Sequence, residues 1–510
     1  MTWTFELAQE RAEDRYMQTA DLRIEDVTRK IDFDNISRTR PRRVTGTHLY
    51  VDIVNFNRQL RAQEEDGDDG EELLRMLHVF AREVSKIIAH DFDGQKIHFQ
   101  GPRVHALSYR PISDESTIAV KAVLTCLAIR HSTAVFNDVL DLDGSEAWQI
   151  AAGLDHGRCI ATRNGAGGDQ ELLFLGGAAN HAAKLLQSSG VRMTTRVYDL
   201  LPQTFQDKVE DMGDGTYRIS LSASEVERLS AEYGWPWTRA DSRKRLEDAA
   251  ERYPVGSVTS TKVKEKIDKA TLTLSNTKRV QGASIFADVD GFTSYIDGLQ
   301  SLDDDLVEAI RLFHVIRGVM RDSAVQDFEA LRIQYQGDRM QSLAYRPVQE
   351  EEKAALSAVR LAAALTSVAD EVIPHVLPEL PAHRLAIGLS WGQVLVSRVG
   401  EHGNTDVISL GGSTAAAATI QQRLDGGQIG LDRSVRDYLP AWLQQAFPWS
   451  SSVQAYVATD LTYNDLAILE ASEQKDRALG ALAATTAVVG LAAAGAVVLS
   501  RKPAKPWSNG

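Results

Sequence analysis

The chain has 510 residues, of which 43% are hydrophobic and 25% are charged, so it can bury sizeable cores and is not a disordered protein. Its formal net charge of −14 argues against a nucleic-acid partner, because general nucleic-acid binders need a basic surface to neutralise phosphates. The two cysteines, Cys126 and Cys159, are too few for a disulfide framework or a thiolate zinc site.

The strongest feature of the sequence is a long internal repeat. The paired blocks begin at Arg42 and Lys278, Lys96 and Arg332, Ile150 and Leu385, and Phe174 and Ser409, always 235 or 236 positions apart. Blocks in one order at one spacing indicate two copies of a whole domain, since solenoid repeats are much shorter. We therefore predict a charged helical lead-in (1–41), a first domain (42–222), a helical connector (223–277) and a second domain (278–470).

Each copy predicts the same order of elements. A β-branched run (HLYVDIV, SIFADVD) forms the first strand, and amphipathic stretches over 72–89 and 304–328 form a long helix. Two alternating runs around a Gln-Gly turn then predict a hairpin. Another helix, further strands and a Gly-Gly turn into an Ala-rich helix complete an α/β domain.

A carboxylate lies at the end of the first strand in both copies, and another lies on the hairpin turn of the second copy. Asp52 and Asp288 close the two strands, and Asp338 lies on the hairpin turn of the second copy. If the hairpin neighbours the first strand, Asp288 and Asp338 converge and can bind hard divalent cations through oxygen. Two such ions could clamp a triphosphate and activate an attacking oxygen.

The chain resembles the class III nucleotide cyclases. Residues 286–293 (FADVDGFT) match the first-strand signature of the family, residues 332–338 (RIQYQGD) match its hairpin signature, and residues 176–185 (GGAANHAAKL) match its third. The resemblance implies two tandem cyclase-type domains of the α/β (α+β sandwich) class, with ferredoxin-like sheet cores packed head to tail as an intramolecular pseudo-dimer.

In that family a catalytic site forms between two domains, and here the copies have lost complementary parts. The resemblance gives the second copy two divalent cations, Mn²⁺ or Mg²⁺, held by Asp288, the Val289 backbone carbonyl and Asp338. It gives the first copy Asn180, which orients the ribose, and Lys184, which stabilises the phosphate charge. The opposite site is predicted to be degenerate, with Asp52, Pro102, Ala415 and Thr419. Lys184 replaces the usual arginine of the family, so bidentate phosphate contact is lost.

The base-reading positions depart from those of purine cyclases. His98 and Leu173 stand where the resemblance expects a lysine and an Asp or Thr, and we assign them with Phe286 to substrate binding. Tyr50, the counterpart of Phe286, is equally consistent with ordinary strand packing. The missing purine contacts point to the pyrimidine cyclases of bacterial Pycsar anti-phage systems, in which a separate effector binds the cyclic nucleotide.

The resemblance therefore predicts an enzyme that converts a nucleoside triphosphate, UTP in preference to CTP, to the 3′,5′-cyclic monophosphate and pyrophosphate. A cytidylate cyclase and an adenylate cyclase with an unusual base pocket are the alternative enzymes. A non-catalytic nucleotide-sensing protein is the alternative of another class.

One segment predicts contact with a membrane. Residues 478–500 contain no charge and are long enough to span about 30 Å of hydrocarbon. A buried Ala/Gly-rich helix is the alternative, and basic residues on both flanks leave the orientation open. We expect a cytoplasmic catalytic region anchored to the inner membrane by this helix.

Overall fold

The fold is taken from a computed structural model that describes residues 3–65, 70–164, 171–299, 303–401 and 404–475. The predicted membrane segment 478–500 lies outside the described residues. The described chain forms two similar nine-stranded sheets with helices packed on them, which confirms the predicted α/β class and the repeat.

The two sheets use strands from successive halves of the chain. The strands of the first sheet are β1 (Glu25–Asp26), β2 (Arg42–Ile53), β3 (Gln95–Gln100), β4 (Arg103–Ser108), β5 (Ile150–Asn164), β6 (Glu171–Leu175), β7 (Gly190–Thr194), β8 (Val209–Asp211) and β9 (Thr216–Ile219). Those of the second are β10 (Ser260–Lys262), β11 (Thr277–Val289), β12 (Leu331–Gln336), β13 (Arg339–Ala344), β14 (Leu385–Glu401), β15 (Asn404–Leu410), β16 (Gln428–Leu431), β17 (Trp449–Ser450) and β18 (Ala455–Thr459).

Helices cover both sheets in the same order along the chain. The first nine are α1 (Phe5–Met17), α2 (Phe56–Glu65), α3 (Glu71–Lys86), α4 (Glu115–Val139), α5 (Gly177–Lys184), α6 (Thr195–Tyr198), α7 (Gln203–Gln206), α8 (Ala223–Glu232) and α9 (Arg239–Arg252). The next seven are α10 (Phe292–Gly298), α11 (Asp303–Asp322), α12 (Glu351–Ser367), α13 (Ile373–Val376), α14 (Gly412–Gln421), α15 (Arg433–Arg436) and α16 (Ala441–Gln444). A further helical segment covers 463–475.

The sheet order places the first strand of each repeat near the centre. The orders are β3-β4-β2-β5-β7-β9-β8 and β12-β13-β11-β14-β16-β18-β17, with β1 and β6 beside β2 and β5, and β10 and β15 beside β11 and β14. The predicted hairpins are therefore present as β3-β4 and β12-β13, each next to the first strand. This arrangement brings the hairpin turn to the end of β2 or β11.

The repeat is longer than the sequence comparison indicates. The strands β1 and β10 pair in parallel with the starts of β2 and β11 in the same register, so residues 261–278 repeat 25–42. We call residues 3–234 the first half and 235–475 the second half. The predicted connector 223–277 is thus divided between the halves, and it is helical only as far as Arg252.

The first helix of each half packs on the other half. Arg15 of α1 pairs with Asp322 of α11 at 2.6 Å, and Arg11 pairs with Asp327 at 2.6 Å. In the reciprocal position, Arg245 of α9 pairs with Glu83 at 2.7 Å. Because these ion pairs hold partly buried carboxylates, each helix ties the two halves together.

The hairpins β5-β6 and β14-β15 make a second reciprocal contact. Glu171 of β6 accepts a hydrogen bond from the backbone N–H of Tyr335 at 2.7 Å, and Asp406 of β15 accepts one from the backbone N–H of Phe99 at 3.0 Å. Apolar side chains of each hairpin join the core of the other half: Ile160, Leu173 and Leu175 in one direction, and Leu395, Val399, Ile408 and Leu410 in the other. The two halves therefore contact each other through equivalent hairpins.

One helix among the described residues, α4, is long and apolar enough to cross a membrane. Most of its surface is buried inside the first half. This burial is typical of a central core helix, so the helix itself gives only weak support for a membrane span.

Candidate functional site

Two acidic side chains lie together at one end of the second sheet. Asp288 is near the end of β11, and Asp338 lies on the turn from β12 to β13, whose strand β13 pairs with β11. Burial and the negative charge of Asp288 raise the pKa of Asp338 well above its usual range. Burial also raises the pKa of Asp288, and Arg339 opposes that rise. The two carboxylates therefore repel each other in a half-buried setting.

This pair fits a divalent cation. Oxygen ligands and a site that concentrates negative charge suit hard ions such as Mg²⁺ or Mn²⁺. A cation between Asp288 and Asp338 would offset the charge of Asp288, which helps to raise the pKa of Asp338. Within the described ranges, no group of three or more His, Cys, Asp or Glu side chains gathers as a metal cluster. The remaining ligand positions would thus fall to backbone carbonyls, such as that of Val289, to substrate and to water.

The helix α5 of the first half reaches this part of the second half. Asn180 donates a hydrogen bond from Nδ2 to the Thr293 hydroxyl on α10, which begins just after the loop that follows Asp288. Lys184 lies one helical turn further along α5 and is exposed. The two residues that the resemblance assigns to ribose and phosphate are therefore on a helix in contact with the half that carries the carboxylates.

A glycine allows this close approach. A Cβ atom added to Gly177, at the start of α5, would overlap the carboxylate of Asp297 on α10. A negative charge beside the first turn of a helix is favourable, because the helix dipole places partial positive charge there. The contact helps to hold α5, and Asn180 with it, against α10.

Aromatic and histidine side chains form a wall beside α5. In the register of β2, β3 and β4, His105 lies opposite both His98 and Tyr50. The Tyr50 ring stacks on His105 with centroids 4.2 Å apart, and His98 meets His105 edge-on at 5.7 Å. Tyr50 also packs against Ala179 and Ala182 of α5. We call Tyr50, His98 and His105 the histidine wall.

Burial keeps the imidazoles of this wall neutral. It lowers the pKa of His98 and lowers that of His105 well below its usual range. Behind the wall, His48 Nδ1 and His105 Nε2 lie 3.0 Å apart. A neutral imidazole can present both a donor and an acceptor, and His98 is the one member of this wall that is not buried.

The structure distributes the three predicted substrate-binding residues differently. His98 belongs to the histidine wall. Leu173 is 3% exposed and packs in the apolar core of the second half. Phe286 lines the second cleft described below, where the Arg339 guanidinium lies 4.9 Å from the centre of its ring. The sequence analysis missed His105; the hairpin register that pairs it with His98 and Tyr50 is the signal that could have found it.

The predicted degenerate site is an open cleft of about 370 Å³. Its walls include Asp52, Pro102, Ala415 and Thr419, so all four predicted residues meet there. The Asp52 carboxylate accepts a hydrogen bond from Arg103 Nη2 at 2.8 Å. Thr419 donates its hydroxyl to the carbonyl oxygen of Ala415 on its own helix at 2.8 Å. The one carboxylate left here is therefore neutralised by arginine, and α14 has neither an amide nor a cation at these two positions.

The chain is similar to known proteins over most of its length. No protein-family model matches the chain. The chain is 28% identical to a uridylate cyclase of Pseudomonas aeruginosa over 465 residues, which cover 88% of each chain. It is 26% identical to a uridylate cyclase of Rhizobium sp. over 434 residues, which cover 79% of this chain and 80% of the other.

One solved structure matches nearly the whole chain. It is described as a class III adenylyl cyclase-like ATP-binding protein from Pseudomonas aeruginosa, with a TM-score of 0.79 and 26% identity. The match covers 92% of this chain and 100% of that one, so it extends over both halves. The chain is therefore related to the class III cyclases and, over most of its length, to proteins named uridylate cyclase.

Proposed function

We propose that this protein is a uridylate cyclase that converts UTP to 3′,5′-cyclic UMP and pyrophosphate at one site between its halves. The observation that carries the proposal is the hydrogen bond from Asn180 of the first half to Thr293 of the second half, close in the chain to Asp288. This hydrogen bond links the half that carries Asn180 and Lys184 to the half that carries Asp288 and Asp338. The names of the relatives that match most of the chain support the choice of base.

The reaction is an in-line attack of the ribose 3′-oxygen on the α-phosphorus, and pyrophosphate leaves. Two divalent cations held by Asp288, Asp338 and the Val289 carbonyl would activate the attacking oxygen and neutralise charge on the leaving group. Asn180 would orient the ribose, and Lys184 would stabilise the charge that develops on the phosphate. Lysine acts here as a point charge, because it lacks the fork of arginine.

The histidine wall supports a pyrimidine as the base. The stacked rings of Tyr50 and His105 occupy space beside α5, which favours a single-ring base over a purine. Neutral His98, whose Nε2 also lies within hydrogen-bond distance of Gln100 Nε2, would donate to a uracil carbonyl or accept from its N3–H, and the buried His105 would position its ring. The wall thus replaces the lysine and acidic residue that the resemblance leads one to expect in purine cyclases.

The base assignment is tested by substrate competition. We expect the purified protein with Mn²⁺ to form cyclic UMP from UTP at least about tenfold faster than cyclic products from CTP, ATP or GTP, as one lost polar contact alone can give. Products from an equimolar mixture of the four triphosphates are measured by mass spectrometry. Cyclic CMP or cyclic AMP as the main product would contradict the base assignment, and no cyclic product would favour the non-catalytic alternative.

We also propose that cyclic UMP is a second messenger in antiviral defence, read by a separate effector protein. The resemblance to Pycsar cyclases supports this role. A strain that carries the cyclase and its effector should resist phage, and a strain with Asp338→Asn in the cyclase should not. Equal protection by both strains would show that phage resistance does not require cyclase activity.

Residues 478–500 are proposed to anchor the protein to the inner membrane. The full chain should sediment with membranes after high-salt washing, because ionic contacts are then screened and only apolar insertion remains. A chain that ends at Lys475 should stay in the supernatant with full cyclase activity, since no site residue lies beyond it. Recovery of the full chain in the supernatant would contradict the anchor.

A further inference from the structure

The two halves differ at one position of their lead-in segments, which is buried in the first half and only half-buried in the second. Both segments contain Lys-Ile-Asp, followed by Phe33 in the first half and Lys269 in the second. Each of these residues begins a 3₁₀ turn, Phe33–Asn35 in one half and Lys269–Thr271 in the other. The two residues therefore occupy equivalent places in the fold.

In the first half an aromatic cluster fills this place. Phe33 is fully buried, and its ring lies 5.2 Å from the Tyr109 ring and 5.4 Å from the Phe174 ring. The counterparts in the second half are Lys269, Tyr345 and Ser409. Because two of the three aromatic rings are missing, the second half lacks the groups that would fill the same volume.

A cavity of about 1010 Å³ lies at that place in the second half. The segment 266–270, Tyr345 and the strands β12 and β15 line it, and the first half adds His98 and Arg163. The Tyr345 hydroxyl accepts the backbone N–H of Ile267 at 2.9 Å, which holds its ring in the wall. The volume is at the upper end of the range for small-molecule sites.

The carboxylates that face this cavity already have partners. Asp406 pairs with Lys96 at 2.6 Å, Glu171 pairs with Arg332, Glu329 pairs with Arg346 at 3.4 Å, and Asp268 accepts the backbone N–H of Ala270 at 2.9 Å. Three of these carboxylates, Asp406, Glu171 and Glu329, are therefore already paired with cations other than Lys266 and Arg398.

Two cationic side chains on the cavity wall have no carboxylate partner among the described residues. Among the residues that the structure describes, neither Lys266 nor Arg398 forms an ion pair; Arg398 donates to the Lys269 carbonyl oxygen at 3.1 Å and to the Thr405 hydroxyl at 3.2 Å. The cavity thus concentrates positive charge in a chain whose net charge is −14. Such a field attracts anions.

We propose that this cavity is a second ligand site, which binds a phosphorylated small molecule of about nucleotide size. The ligand's phosphates would contact Lys266, Lys269 and Arg398, and Tyr345 would form an apolar wall. The cavity lining contains neither Asp288 nor Lys184, but it shares His98 with the histidine wall; the proposal itself does not depend on the function proposed above. Because both halves line the cavity, a bound ligand would also stabilise their packing.

Inorganic tripolyphosphate serves as the probe. The full chain is titrated by calorimetry in EDTA, which removes divalent cations and so weakens binding between Asp288 and Lys184. We expect Lys269→Phe, which restores the aromatic residue of the first half, to weaken probe binding at least tenfold. The matched control Lys184→Ala, which removes the phosphate cation of the other site, should bind the probe as the unaltered protein does.

Three outcomes of this titration would contradict the second ligand site. No binding by the unaltered protein, unchanged binding by Lys269→Phe, or complete loss of binding in Lys184→Ala would each overturn the proposal. Circular dichroism melting checks that Lys269→Phe is folded. If it is not, Arg398→Gln is read in the same way, because its side chain makes no ion pair whose loss would unfold the chain.

Discussion

Replacing Asp288 or Asp338 by asparagine should lower the turnover of UTP by at least about 10³-fold, because each change removes a charged ligand from the proposed divalent cations, which would supply several kcal/mol of transition-state stabilisation. Asparagine keeps the shape of the side chain, so packing at the end of β11 is preserved. Turnover is measured with saturating UTP over a range of Mn²⁺ concentrations. Higher Mn²⁺ should restore only part of the activity.

The first half provides the matched control for this prediction. Asp52 ends β2 as Asp288 ends β11, but its carboxylate is paired with Arg103. Asp52→Asn should keep at least half of the turnover and reduce the melting temperature by no more than a few degrees, the usual effect of losing a partly exposed ion pair. An Asp52→Asn protein as inactive as Asp288→Asn would refute a single site.

Replacing Lys184 by alanine should lower turnover by about 10²–10³-fold, the usual cost of removing one preorganised group that stabilises a developing negative charge. The KM for UTP should change less, because the charge on the phosphate grows in the transition state. Steady-state kinetics separate the two parameters. Lys184→Arg should retain most of the turnover, since it keeps the positive charge at the same place.

Thr419 is the positional counterpart of Lys184 on α14, and its hydroxyl bonds within its own helix. Thr419→Ala should therefore leave both kinetic parameters within about twofold, as expected for a change that touches no charge at the proposed site. If Lys184→Ala behaves like Thr419→Ala, the first half does not contribute to catalysis. The proposed division of labour between the halves would then be wrong.

The internal repeat let the sequence alone predict most of the architecture. Similar blocks at constant spacing give two copies of a domain, and alternating runs around a Gln-Gly turn give the hairpins β3-β4 and β12-β13. The hairpin beside the first strand then brings Asp338 towards Asp288. These features depend on local patterns of side chains, which is why they can be read without a structure.

The repeat was harder to recognise at the ends of each half. The segments around β1 and β10 share few residues, yet their strands pair with β2 and β11 in the same register. Backbone pairing leaves little mark on side-chain identity in strands this short. The similarity of the connector to the lead-in therefore became visible only in the fold.

Only the tertiary structure decided how the halves exchange parts and which side chains meet. The exchange of α1 and α9, the packing of Leu173 in the core of the other half and the stacking of Tyr50 on His105 all join residues far apart in the chain. The sequence by itself determined that two copies are present and that only one set of carboxylates is complete. Which half's groups face that set depends on packing between surfaces, and such long-range contacts follow from shape and burial rather than from local pattern.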